Sequence, residues 1–214
     1  MKHTLQSTLL LTILSFCIGK VSAQTFQDYF KPETSVTWLG VDFTGVKVIS
    51  ESDVNIERLV STEFSGINDL VLNEPKKYDL GEAFHKDNVA TDLSLVKARN
   101  KTISGSKITS TDEGDKTKFT TSTIDKMVRE YNFGNKKGIG VIFFMEYMSK
   151  VKDKEKAGLW VAFVDMASKK VLYTERMEEP VGGFSLKNYY AKSVYEALND
   201  IEKKYKTWKK DNNG

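Results

Sequence analysis

An α+β fold, with helices packed on a mostly antiparallel sheet, is the class this sequence predicts. Three apolar runs follow one another closely between Gly140 and Thr174, with short links between them. A last segment from Leu186 repeats its apolar residues at helical spacing. Short links favour antiparallel neighbours, and helices set apart from a meander favour segregated layers over regular β-α alternation.

Taken in order, Val36 to Ile49 is rich in β-branched and aromatic residues, with Gly40 and Gly45 as breaks. It reads as one long bent strand or a tight hairpin. Asp53 then offers an N-cap, and Ile56, Leu59, Val60, Phe64, Ile67 and Val71 recur at helical spacing up to Pro75. Leu80 to His85 suits a shorter helix. Alternation from Val89 to Leu95 suits a strand.

Between Thr102 and Thr123 half of the 22 residues are Ser or Thr, around Asp112-Glu-Gly-Asp115. Such a stretch has little to bury and reads as an exposed loop over about 100–122. Ile124, Met127, Val128 and Tyr131 mark a short helix, capped by Ser122 or Thr123 and ended at Gly134. Strands over Gly140–Met148, Leu159–Val164 and Val171–Thr174 follow, with 165–170 as the second turn. The final helix is the clearest element. Leu186, Tyr190, Val194, Ala197, Ile201, Tyr205 and Trp208 draw one apolar stripe along it.

The N-terminus predicts export. Lys2 and His3 precede an apolar run from Leu9 to Ile18, and Val21-Ser-Ala23 supplies small residues at a cleavage site. The run is about ten residues, against roughly 20 needed to cross a bilayer, so residues 1–23 read as a cleavable signal peptide and 24–214 as a single domain. Cys17 invites lipoprotein processing, but Phe16 stands where that chemistry wants a small residue. Without residues 1–23 the chain has no cysteine and no disulfide to form. The formal charge of +3 falls to about +1 once Lys2 and Lys20 leave. That balance argues against a nucleic-acid partner.

Catalytic signals are sparse. Only His85 remains beyond residue 23, which leaves no histidine-rich metal site, and no Gly-x-Ser-x-Gly elbow is present. Gly134-Asn-Lys-Lys-Gly138 is glycine-rich and basic but precedes a strand, whereas a phosphate cradle opens a helix; it reads as a turn. Three carboxylates, Asp42, Glu146 and Asp165, lie within or beside apolar runs. A converging pair could serve as acid and base in hydrolysis; the structural alternatives are a solvated strand face for Glu146 and a turn cap for Asp165. Gly182 and Gly183 precede the last helix, with Lys187 and Asn188 in its first turn. They form a candidate ligand-binding bend or a simple strand-to-helix link capped by Ser185. Lys203, Lys204, Lys206, Lys209 and Lys210 could rest on an anionic surface or complement the helix dipole. Asn100-Lys-Thr102 is a glycosylation sequon, relevant in a eukaryotic secreting cell.

The strand-turn-strand Gly158-Leu-Trp-Val-Ala-Phe-Val-Asp-Met-Ala-Ser-Lys-Lys-Val-Leu172, with Gly182-Gly-Phe-Ser-Leu-Lys-Asn-Tyr-Tyr190, resembles a group of uncharacterised exported proteins of Gram-negative bacteria. The layout is more distantly similar to small α/β modules of envelope assembly lipoproteins. The resemblance implies a periplasmic or extracellular location and brings no reaction with it. The expectation is therefore an exported, non-catalytic binding or envelope-associated module without cofactor or metal. A carboxylate-based hydrolase using Asp42, Glu146 or Asp165 is the alternative.

Overall fold

A computed structural model describes residues 24–50 and 54–212. The predicted signal peptide and the Asp53 cap lie outside the described residues.

The chain opens with a short helix α1 (Phe26–Tyr29), then strands β1 (Val36–Asp42) and β2 (Lys47–Ser50). Helix α2 (Ile56–Arg58) runs through a wider π-helical turn, Leu59–Glu63, into α3 (Phe64–Asn73). Asn55 caps this segment by accepting from the Arg58 N–H. There follow α4 (Leu80–Phe84), β3 (Val89–Thr91), α5 (Ser94–Asn100), α6 (Gly105–Ile108), β4 (Thr109–Ser110), a tight helical turn Glu113–Thr117, and α7 (Thr121–Arg129). Thr120, rather than Ser122 or Thr123, caps α7. The last elements are β5 (Ile139–Lys150), β6 (Lys156–Asp165), β7 (Lys170–Pro180) and α8 (Leu186–Asn212).

Strand β5 is the axis of the sheet. One edge carries β6 and then β7, both antiparallel, which is the expected meander. Along the other edge β1 pairs parallel with Ile139–Phe144 and β2 pairs parallel with Tyr147–Lys150. Both halves run in one direction, so Val36–Ser50 is one bent strand and not a hairpin. Strands β3 and β4 extend β1 and β2, again in parallel.

The sheet is thus mixed, not mostly antiparallel: four of the six pairings among the described residues are parallel. Helical crossovers are the reason. Helices α2 to α4 return the chain from the bent strand to β3, and α5 to α7 return it from β3 to β5, long enough connections for parallel neighbours. Doubly covered strands carry near-continuous apolar runs, and β5 is buried from Ile139 to Ser149.

Both faces are covered. Phe143 and Phe144 point oppositely, as strand alternation requires. Phe143 meets Trp38 (ring centroids 4.8 Å), and Phe84 reaches Phe163 on the neighbouring strand. Trp208 of α8 adds to this layer against Phe163 and Tyr173. Phe144 meets Tyr131, beyond α7, on the far side. Helix α8 buries Tyr190, Val194, Ala197, Ile201 and Trp208 of the stripe read from the sequence, together with Ala191, Ser193 and Leu198, while Leu186 and Tyr205 are half-buried.

Candidate functional site

The sheet is dislocated along one line. Asp42 of β1 is level with Phe144, and Lys47 of β2 is level with Tyr147, so four residues on the bent strand face two on β5. The register of β5 against β6 shifts at the same level, between Met145 and Tyr147, leaving Glu146 as the bulged residue. A bulge re-aims a side chain and interrupts the ladder. Two of the three predicted carboxylates, Asp42 and Glu146, sit at this dislocation.

Two buried asparagines bond to the backbone of the bent strand just before the dislocation. Asn68 of α3 accepts from the Val41 N–H (2.7 Å) and donates to its carbonyl (3.0 Å). Asn100, ending α5, accepts from the Phe43 N–H (2.8 Å) and also donates to the Val41 carbonyl (3.0 Å). Gly40 makes this approach possible: its φ is +104°, and a Cβ there would stand 2.6 Å from Asn68 Oδ1.

Asp42 is fully buried and fully partnered. Its Oδ1 accepts from the Thr44 N–H (2.8 Å) and hydroxyl (2.6 Å). Its Oδ2 accepts from Arg99 Nε (2.7 Å) and the Tyr131 hydroxyl (2.6 Å). Arg99 continues to Glu130 (3.1 Å) and lies over the Tyr131 ring, 4.7 Å from its centroid. Burial, reinforced by the Asp42 charge, pushes the Tyr131 hydroxyl far above its ordinary range, so it remains a donor.

Glu146 is likewise fully buried, which corrects the solvated-face reading. It accepts from Arg176 Nε of β7 (2.7 Å) and from the Phe119 N–H (2.6 Å), and Arg176 Nη2 also donates to the Lys116 carbonyl (2.8 Å). This carboxylate fastens the Ser/Thr-rich segment to the sheet. That segment holds α6, β4 and the 113–117 turn, with Ile108 and Asp115 buried.

Asp165 is elsewhere. It sits opposite Ile139, and its carboxylate accepts from the Ala167 N–H (3.1 Å) and the Ser168 hydroxyl (2.6 Å), the turn cap the sequence suggested. Counting rows along β5 at about 3.3 Å each places it about 16 Å from the level of Asp42 and about 23 Å from that of Glu146. Among the described residues no side chain bonds to both Asp42 and Glu146.

The diglycine bend packs on its own helix. Gly183 has a φ of +139°, and a Cβ there would come 3.2 Å from the Asn188 carbonyl carbon. The Gly182 N–H donates to the Tyr189 carbonyl (2.9 Å), and Ser185 Oγ accepts from the Asn188 N–H (3.2 Å). Lys187 lays its stem over Gly66 of α3, and Asn188 is exposed. The four residues are together in sequence, but the close backbone approach is made to α8.

Of the C-terminal lysines, Lys204 pairs with Glu175 and Lys203 with Asp200, while Lys206, Lys209 and Lys210 are exposed. The aromatics among them turn inward: Trp208 donates to Glu175 (3.0 Å), and Tyr205 stacks on His85 at 4.0 Å. The glycine-rich turn before β5 is closed by Ser35, which accepts from the Ile139 N–H (3.1 Å).

A shallow groove of about 450 Å³ lies over the dislocation, lined by Thr44, Arg99, Phe119, Thr123, Met127 and Glu130. Only Thr123 in this set was marked by the sequence as more than packing or loop, and then as a cap. Across residues 99–102 a second groove of about 350 Å³ is lined by Ser61 of the π-helical turn, Ser65, Lys97, Asn100 and Lys101. Hydroxyls, cations and an apolar floor suit recognition of a polar ligand. Among the described residues no group of three His, Cys, Asp or Glu side chains could hold a metal ion, and no helix is long and apolar enough to cross a membrane. No protein-family model matches the chain, and no curated protein matches it.

Proposed function

We propose that this chain is an exported, non-catalytic binding module, periplasmic or extracellular and associated with the envelope, like the exported Gram-negative proteins its C-terminal third resembles. The observation that carries the non-catalytic part is the state of Asp42 and Glu146. Each is wholly shielded from solvent and neutralised by its own arginine. A general acid or base must reach the proton it moves, and the groove presents Arg99 with Glu130 already paired to it. Recognition by hydroxyls and the Arg99 guanidinium is what such a surface offers.

The test is an activity survey of the purified protein with model glycosides and esters, beside Asp42→Asn and Glu146→Gln. No turnover is expected from any of the three. Turnover that Asp42→Asn abolishes in a folded protein would overturn this reading in favour of the carboxylate hydrolase. Export is read separately: mass spectrometry of the protein from its own cells should find Gln24 as the first residue.

A further inference from the structure

Phe184 is the one large hydrophobic side chain that stands exposed among the described residues, and at 112% it is more open than in an extended peptide. Its backbone is not free to fold it away. Gly183 leaves no room for a side chain beside the Asn188–Tyr189 backbone, Gly182 is bonded to Tyr189, and Ser185 caps α8. The ring is held out from a built turn.

The end of the molecule that carries the ring is rich in lysine. Pro180, just before the bend, is paired with Lys156, so the β5–β6 hairpin and the bend share one end of the molecule. Lys150 lies over the Tyr189 ring at 5.8 Å, and Lys192 reaches toward Gly182. Lys152 and Lys154 are exposed on the hairpin, and Lys187 flanks the helix start. Against these stand Asp153 and Glu155; Glu178 is paired with Lys156, and Glu179 is buried beneath α8.

We propose that this end, with Phe184 at its tip, docks on an anionic phospholipid bilayer. The proposal deepens the envelope-associated reading by naming the surface that is met. A stable protein interface needs roughly 800 Å² per partner with several apolar anchors, and this convex tip offers one. A single aromatic entering the headgroup region, ringed by lysines facing anionic lipid, matches the two-part chemistry of interfacial binding. The tip also differs from the lysines predicted at the far end of α8. That helix is about 40 Å long, so the two lysine groups are separate surfaces, and the aromatics at its C-terminal end are already packed.

The experiment is co-sedimentation of the purified protein with vesicles of phosphatidylcholine alone or with phosphatidylglycerol. Wild type should pellet with the anionic vesicles and be released by about 0.5 M salt, which shortens screening to a few ångströms. Phe184→Ser should weaken binding about tenfold, as expected for losing part of a phenylalanine's burial. Lys152→Glu with Lys154→Glu should weaken it similarly, and Lys209→Glu with Lys210→Glu should leave it unchanged. Phe184 is exposed, so its variant should keep the wild-type melting temperature, and Phe184→Trp should bind with blue-shifted emission. Three results overturn the proposal: no binding to anionic vesicles, binding indifferent to Phe184, or Phe184-dependent binding to native envelopes but not to protein-free vesicles, which marks a protein partner. All variants share one N-terminus, so the comparison stands apart from whether residues 1–23 are removed.

Discussion

Asp42 makes four hydrogen bonds through two oxygens, and its removal leaves the buried Tyr131 hydroxyl without its acceptor and takes from Arg99 its buried partner. Breaking a buried ion pair from one side costs about 3–5 kcal/mol, so Asp42→Ala should lose about that much in urea unfolding. Asp165→Ala should lose only about 1 kcal/mol, since its partners face the turn. Gly40→Ala places a Cβ against Asn68 in a backbone region that side chains rarely adopt. It should cost about 2 kcal/mol or more; a neutral result would mean that β1 and α3 adjust freely at this point. Asp42 and Glu146 were legible as candidates because carboxylates inside apolar runs stand out. Their meaning was not, because the arginines that neutralise them lie 57 and 30 residues away and belong to elements whose packing no local pattern reveals.

Helix α8 and strand β5 are legible because each carries one unbroken signal, an apolar stripe and an apolar run, whereas β6 and β7 are legible only at Leu159–Val164 and Val171–Thr174 and extend beyond them to Lys156–Asp165 and Lys170–Pro180. Helix α5 is not. Val89, Thr91, Leu93 and Leu95 alternate by chance across a junction, where the strand ends at Thr91 and Asp92 accepts from the Ser94 N–H (2.9 Å) to start the helix. The parallel direction of β1 and β2 is equally silent in sequence, since a strand's own pattern says nothing of its neighbour's heading. The packing of α8 on β7 carries a pH dependence. Burial, with Asp200 and then Glu196 adding like charge, raises the Glu179 carboxyl to about 7, against which Lys204 and Lys203 act. The folded state thus holds this proton more tightly than the unfolded chain, where the value is 4.5. Stability from this group is full below about 4.5 and is lost as pH rises through about 7. Glu179→Gln should therefore be more stable than wild type at pH 8, by about 1–2 kcal/mol, and the gap should close by pH 4. A gap that persists at pH 4 would point to packing instead of charge.

Across the whole molecule, the dislocated sheet links parts that are remote in sequence. One carboxylate, Glu146 on the central strand, bonds to the backbone of Phe119 and to Arg176, which in turn holds the carbonyl of Lys116. The Ser/Thr-rich segment resembles a solvated loop in composition because few of its side chains enter the core; its order comes from the pairing of β4 with β2 and from backbone groups gripped by a distant ion pair, causes that composition cannot express. If that grip is the fastening, releasing it should open the segment before the sheet. Arg176→Ala removes the hold on Lys116 and leaves Glu146 with the Phe119 bond alone. Limited trypsin digestion should then cut at Lys116 or Lys118 at least about fivefold faster than in wild type, because local opening controls cleavage when reclosing is fast. Amide exchange in β5 should stay near the wild-type rate, showing that the opening is local. Equal acceleration across β5 and the segment would mean that Arg176 supports the entire sheet, and the segment would then be an integral part of the core.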